Sequence, residues 1–195
     1  SVELAKVLNG EIIGLDSRQI YEGMSIGTAQ PTETEMEGIR HYLISIRKPS
    51  ESISAGEYAQ LAEQKIIQIK NRGKRPIICG GSGLYYRALS QGIFKGSSTD
   101  PFIRKKLEKE YLVNPLQLLE KLRKADPDYA EIVHLNNKKR LIRALEIYES
   151  TGKPISEHFR MQKLNNIKPK TYFSIFLKWG RSNLKKRIQK RTRNM

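Results

Sequence analysis

Asp16-Ser17-Arg18-Gln19 sets a carboxylate, a hydroxyl, a guanidinium and an amide side by side. A carboxylate in that company can serve as a general base, with Ser17 and Gln19 as hydrogen-bonding groups that read a substrate. The same Asp can instead cap the turn that follows it. Gly80-Gly81-Ser82-Gly83 is the second run of interest, because bare backbone N–H groups and the positive end of a following helix suit an anion such as diphosphate. An ordinary tight turn between a strand and a helix uses the same residues. The third run is Lys139-Arg140-Leu141-Ile142-Arg143-Ala144-Leu145-Glu146. On a helix Arg140 and Arg143, three apart, share a face that can grip phosphates or stack on a base, or that is simply solvated with Arg143 paired to Glu146.

These groups need a frame. Residues 2–8 read as the tail of a helix, and 11–15 as a short buried strand that ends at Asp16. Ser54 caps a helix over 55–72, with Tyr58, Leu61, Ala62, Ile66 and Ile69 on one face, and Gly73 stops it. Residues 75–79 form a second strand in which Cys79 is expected to be buried, followed by the glycine turn and a helix over 84–91. Tyr172 to Lys178 is predicted as a third strand, and Ser182 as the start of a helix turning Leu184, Ile188 and Met195 inward. Residues 100–160 read as wholly helical, with Leu141, Leu145 and Tyr148 as a buried stripe.

Strands alternating with helices predict an α/β fold, a parallel sheet with helices on both faces in a phosphate-loop NTPase-like layout, plus a helical insertion. The expected division is an α/β core of 1–99 with 165–195 and a helical insertion of 100–164. In such sheets ligands bind beyond the carboxyl ends of the strands, so Asp16, the Gly80–Gly83 turn and Arg181 are expected to meet at one crest.

Lys and Arg number 36 against 20 Asp and Glu, and the excess is uneven: residues 136–195 carry 17 basic and 3 acidic side chains. A block of that kind favours a polyanion. A single cysteine excludes an internal disulfide and a multi-cysteine zinc site, and three scattered histidines offer no metal-ligand spacing. With neither a membrane-length apolar run nor a secretory signal in the sequence, a cytoplasmic location is expected.

In order along the chain, Gly10-Glu11-Ile12-Ile13 leading to Asp16-Ser17-Arg18-Gln19-Ile20-Tyr21, then Gly23 to Ala29, His41-Tyr42-Leu43-Ile44, Gly80 to Tyr85, Asp100 to Arg104, Arg140 to Glu146, and Arg181 followed by Leu184, Arg187, Ile188, Arg191 and Met195 resemble the bacterial tRNA dimethylallyltransferases, also called tRNA isopentenyltransferases. The resemblance implies transfer of a dimethylallyl group from dimethylallyl diphosphate to the exocyclic amine of the adenosine 3′-adjacent to the anticodon. It assigns Asp16 as the base, and Arg181 and Arg187, with Mg²⁺, as partners of the departing diphosphate, which Gly80 and Gly81 could also touch. Ser17, Gln19, Ser82, Arg104, Arg140 and Arg143 match positions that contact tRNA in the family; Arg18 stands at a variable position, and Lys139 opens the same basic run. The implied partners are a tRNA anticodon stem-loop and dimethylallyl diphosphate, for a monomer that needs no membrane.

The chain departs from the family pattern in several places. The family's phosphate-binding loop ending in Gly-Lys-Thr or Gly-Lys-Ser is not found in the sequence, nor are its later tRNA-binding helices, so the chain is expected to be a fragment that is catalytically silent by itself. Ser82 stands where the family has Thr, Gln30 where it has Lys, and Ser45 where it has Asp. Competing readings are an adenylate isopentenyltransferase acting on a free nucleotide, a nucleotide kinase sharing the strand-turn-helix layout, and a non-catalytic RNA-binding derivative.

Overall fold

A computed structural model describes residues 1–92, 100–165 and 172–194. The chain divides into two compact units, residues 1–92 with 169–195, and residues 93–168.

In the first unit, α1 (Val2–Val7) leads into β1 (Gly10–Leu15), whose residues are all buried. Two single-turn helices follow, α2 (Ser25–Thr28) and α3 (Glu33–Met36), then the two-residue strand β2 (His41–Tyr42). Helix α4 (Ala55–Asn71) begins where the Ser54 hydroxyl accepts the Glu57 N–H at 3.1 Å, and it ends before Gly73, whose φ of +71° carries the chain out of the helix. Then come β3 (Arg75–Gly80) and α5 (Gly83–Gln91). The sheet is parallel throughout, in the order β2-β1-β3, with Ile12 paired to His41 on one side and Ile77 on the other. A central parallel strand is covered on both faces, which is why Ile12, Ile13 and Leu15 can all be apolar and buried. Helices α1 and α4 pack against β1, and α4 also against β3 and α5.

The second unit is helical: α6 (Pro101–Val113), α7 (Pro115–Ala125), α8 (Pro127–Ile132), α9 (Lys138–Thr151) and α10 (Ile155–Asn165). Three of these open with proline behind an acidic or amide cap. Asp100, Asn114 and Asp126 each accept backbone N–H bonds from the first turn, and proline at the first helical position lacks only a donor that would be unpaired there. The unit has a core of its own, built from Leu107, Leu118, Leu122, Leu141, Ile147 and their neighbours.

Helix α11 (Arg181–Asn194) closes the description, one residue ahead of the expected start. It does not bury the expected face: Leu184 and Ile188 are exposed, and Met195 lies outside the described residues. Tyr172 to Lys178 is not a strand either, and β2 takes the third place in the sheet. Strand-like composition makes a strand only when a neighbour supplies the ladder, and no described strand lies beside this segment, so Phe173 and Phe176 remain about nine-tenths exposed, at 94% and 88%. For the same reason Cys79, on the outermost described strand, is exposed rather than buried. Tyr148 lies at the rim of the helical core, also exposed. No described helix is long and apolar enough to cross a membrane.

Glu11 is the buried fastener at the amino ends of the strands. Its carboxylate accepts from the Tyr42 hydroxyl at 2.8 Å and from Arg72, and pairs with Lys74 at 3.2 Å, joining β1 to β2 and to the end of α4. Burial pushes its pKa up, but the bonds from Arg72, Tyr42 and Lys74 together outweigh that and hold it below the ordinary value of 4.5. A depressed carboxylate contributes its stability above the unfolded-state pKa and loses it as pH falls through the folded one. Glu11→Ala should therefore lower the unfolding free energy by roughly 1–3 kcal/mol at neutral pH. In urea titrations the gap from the parent should narrow below about pH 4.5; a gap unchanged by acid would refute the charge-based account.

Candidate functional site

The crest is made where β1 and β3 end together. Leu15 is paired with Gly80, and a Cβ on Gly80 would lie 2.3 Å from the Leu15 carbonyl oxygen, so only glycine permits this approach. The Ser82 N–H then donates to that carbonyl at 3.0 Å, and the Ser17 N–H donates to the Ser82 Oγ at 2.8 Å. Two sequence-distant runs are thus tied at the carboxyl ends of the strands. The Ser82 oxygen is used as an acceptor, and its own proton is left to donate. Since the Ser82 N–H is engaged, the glycine turn offers an anion fewer bare amides than its sequence suggests.

Asp16 is half-buried, and its Oδ1 accepts the N–H groups of Arg18 at 2.7 Å and Gln19 at 3.2 Å. The capping role and the base role therefore coexist: both bonds end on Oδ1. Gln19 turns its amide to the carbonyls of Thr28 and Ala29 at 3.2 and 2.7 Å, holding the loop after α2 rather than presenting that amide outward. Arg18 is exposed. Beneath the crest the rings of Tyr58 and Tyr85 stack with centroids 4.1 Å apart, and the Tyr58 hydroxyl donates to the Gly14 carbonyl at 2.8 Å. Burial raises the pKa of both phenols, and for Tyr85 the nearby Tyr21 and Asp16 add to it, so both stay neutral donors. This stack, which fixes α4 and α5 to the end of β1, has no motif in the sequence.

Arg181 and Arg187 lie in the same unit, on α11, but among the described residues neither forms a hydrogen bond or ion pair with the crest. The nearest tie is the Tyr86 hydroxyl of α5, 2.9 Å from the Ser174 hydroxyl in the segment leading to α11. The Arg187 guanidinium instead lies 4.4 Å from the centroid of the Trp179 ring, a contact the sequence does not announce. Arg104, Lys139, Arg140 and Arg143 belong to the helical unit. Lys139 and Arg140 are exposed, Arg104 pairs with Glu108 at 3.2 Å, and the half-buried Arg143 pairs with Glu146 at 2.7 Å.

No group of three or more His, Cys, Asp or Glu able to hold a metal occurs among the described residues. Mg²⁺ in phosphate chemistry is commonly held by one or two carboxylates plus substrate phosphates, and Asp16 supplies a carboxylate of that kind. The crest thus fits a phosphate-borne Mg²⁺ and not a protein cage.

An α/β protein with a carboxylate and a glycine turn at the carboxyl ends of a parallel sheet, carrying a basic helical unit, is a class with many members. Residues 19–195 match the model of one family, IPP transferase, and the chain belongs to it. It is 46% identical to a tRNA dimethylallyltransferase of Bacillus pumilus across 98% of this chain and 60% of that protein. It is 44% identical to one of Acetivibrio thermocellus across 98% of this chain and 61% of that protein. The chain thus spans about three-fifths of the length of these relatives. A solved tRNA Δ2-isopentenylpyrophosphate transferase from Staphylococcus epidermidis superposes with a TM-score of 0.54 at 40% identity, covering 98% of this chain and 62% of that one. A eukaryotic dimethylallyltransferase acting on tRNA superposes with a TM-score of 0.69 at 34% identity, over 83% of this chain and 40% of that one.

Two departures from the family pattern turn out to touch. The Ser45 hydroxyl donates to the Gln30 Oε1 at 2.8 Å, and the Gln30 amide donates to the carbonyls of Gln19 and Tyr21, each at 2.8 Å. A neutral hydrogen bond thus stands where the family pattern would place Lys against Asp, on the loop that positions Gln19. Gln30→Lys and Ser45→Asp should each destabilise the protein alone and compensate each other when combined, with a coupling of roughly 0.5–1 kcal/mol. Additive shifts in a denaturation double-mutant cycle would show that the two changes are independent.

Proposed function

We propose that the protein carrying this chain transfers a dimethylallyl group from dimethylallyl diphosphate to the exocyclic amine of the adenosine 3′-adjacent to the anticodon of tRNA, acting as a monomer in the cytoplasm. The observation that carries this reading is the crest itself, where Asp16, Ser17 and Ser82 converge around a glycine turn in a chain of this family. The amine lone pair is delocalised into the adenine ring, so it attacks the allylic carbon productively only as a base removes a proton. The new C–N bond forms as the C–O bond to diphosphate breaks, the bonding electrons leave with the diphosphate, and Asp16 takes the proton. Arg181 and Arg187 offset the charge of the departing group, and Mg²⁺, held by Asp16 and phosphate oxygens, would supply further charge neutralisation when bound. Adenine must leave its stack to be reached, and Ser17, Gln19 and Ser82 line the place where it would arrive. Arg104, Lys139, Arg140 and Arg143 meet RNA phosphates.

Three outcomes check this in the gene product that carries the sequence. Radiolabelled dimethylallyl transfer should go to tRNA and not to AMP; transfer to AMP alone would move the reading to a free-nucleotide enzyme. Asp16→Asn keeps an Oδ1 to cap Arg18 and Gln19, so it should fold normally and bind tRNA normally while kcat falls by about 10²–10⁴-fold. An unaltered kcat would remove Asp16 as the base. The 195-residue chain should bind tRNA with an affinity that falls steeply as salt rises, because each phosphate contact releases counterions, and salt-independent binding would contradict the role given to the basic residues.

A further inference from the structure

Glu146 lies inside the apolar core of the helical unit, flanked on α9 by the buried Leu145 and Ile147, and its side chain has 0% exposure. One carboxylate oxygen, Oε1, accepts the backbone N–H of Asp100 at 3.0 Å; the other, Oε2, accepts from Arg143 Nη1 at 2.7 Å. Asp100 is the cap of α6, accepting the N–H groups of Phe102 and Ile103 on its own side chain, and its carbonyl accepts the N–H of Arg104 at 3.0 Å. A single buried carboxylate therefore fixes Arg143 on α9 and the turn of α6 from which Arg104 emerges.

Stability alone is a poor reason for such a group. Burying an ion pair costs desolvation that its own attraction barely offsets, and an apolar residue of similar volume is often as stabilising. What the pair does provide is geometry: a guanidinium held by one edge against a fixed carboxylate has its remaining donors aimed, and it loses less freedom when it meets a phosphate. We propose that Glu146 is a positioning residue for RNA binding, pre-aiming Arg143 and setting its spacing from Arg104. The proposal rests on the tRNA reading above.

Glu146→Gln separates the two roles. The Gln carbonyl can still accept the Asp100 N–H, which turns its amide donors toward the donors of Arg143, so the helix tie persists and the arginine is released. In the gene product that carries the sequence, tRNA affinity should fall about tenfold in Glu146→Gln and equally in Arg143→Ala, the scale of one charge-assisted contact. Adding Glu146→Gln to Arg143→Ala should change affinity less than about twofold, because both act through one contact. The slope of log affinity against log salt should flatten by a little under one unit in each variant, a readout that loosening of a helix would not produce, and kcat at saturating tRNA should stay near that of the parent. A full tenfold loss on adding Glu146→Gln to Arg143→Ala would overturn the proposal, as would normal tRNA affinity in Arg143→Ala. If Glu146→Gln and Glu146→Met both lose the helical fold by circular dichroism, Glu146 is a structural support and the proposal is again overturned. Failure of the unmutated protein to bind tRNA would overturn the tRNA reading and the proposal together, and that arm is measured separately.

Discussion

The parallel register between β1 and β3 is the constraint on which the crest depends. It brings Gly80 opposite Leu15 at a distance that no side chain would tolerate, and from that contact the Ser82 N–H reaches the Leu15 carbonyl and the Ser17 N–H reaches the Ser82 hydroxyl. A slip of one residue would send alternate side chains to the opposite face and break this sequence of bonds. The register is held from both ends of the sheet. At the amino ends Glu11 gathers Tyr42, Arg72 and Lys74, and near the carboxyl ends Tyr58 reaches the Gly14 carbonyl while stacked on Tyr85. The two fasteners differ in kind, an ionic network at one end and aromatic packing with neutral phenols at the other.

What the sequence discloses and what it hides follow from how local each feature is. Ser54, Gly73 and the Asp-Pro and Asn-Pro openings of α6, α7 and α8 act within one turn, so their roles can be read from neighbouring residues alone. The glycine turn after β3 is legible in the same way. Tyr172 to Lys178 misleads because its aromatic and branched residues state a preference for a pleated surface without naming a neighbour, and the ladder is a property of two segments. Strand β2 is hidden for the opposite reason, since two residues are too few to show any alternation. Glu146 sits three places after Arg143 like any surface helix pair, and its burial becomes visible only when α6 packs on α9.

Buried acids show a common pattern across the molecule. Asp126 divides its oxygens between the Tyr129 and Ser156 N–H groups, joining α8 to α10. Glu146 divides its own between Asp100 and Arg143, and Glu11 between Lys74 on one oxygen and Arg72 with Tyr42 on the other. In each case both oxygens are engaged, as an ionised carboxylate out of water requires, and the acid is committed to holding elements together.

Asp16 departs from that pattern, because its two bonds both end on Oδ1 and the group is only half-buried. Bond count alone does not make it a base, since Asp100 also takes two N–H groups on Oδ1 while merely opening a helix. Place separates them. Asp100 precedes a helix on the helical unit, whereas Asp16 follows the central strand of a parallel sheet and is followed at once by the Ser17 N–H bonded to the Ser82 hydroxyl, where a ligand of such sheets is received. A base needs an oxygen within reach of the proton it takes and a fixed direction for it. The two backbone bonds to Oδ1 supply the direction, and the same turn that the sequence reads as ordinary capping is what aims the carboxylate.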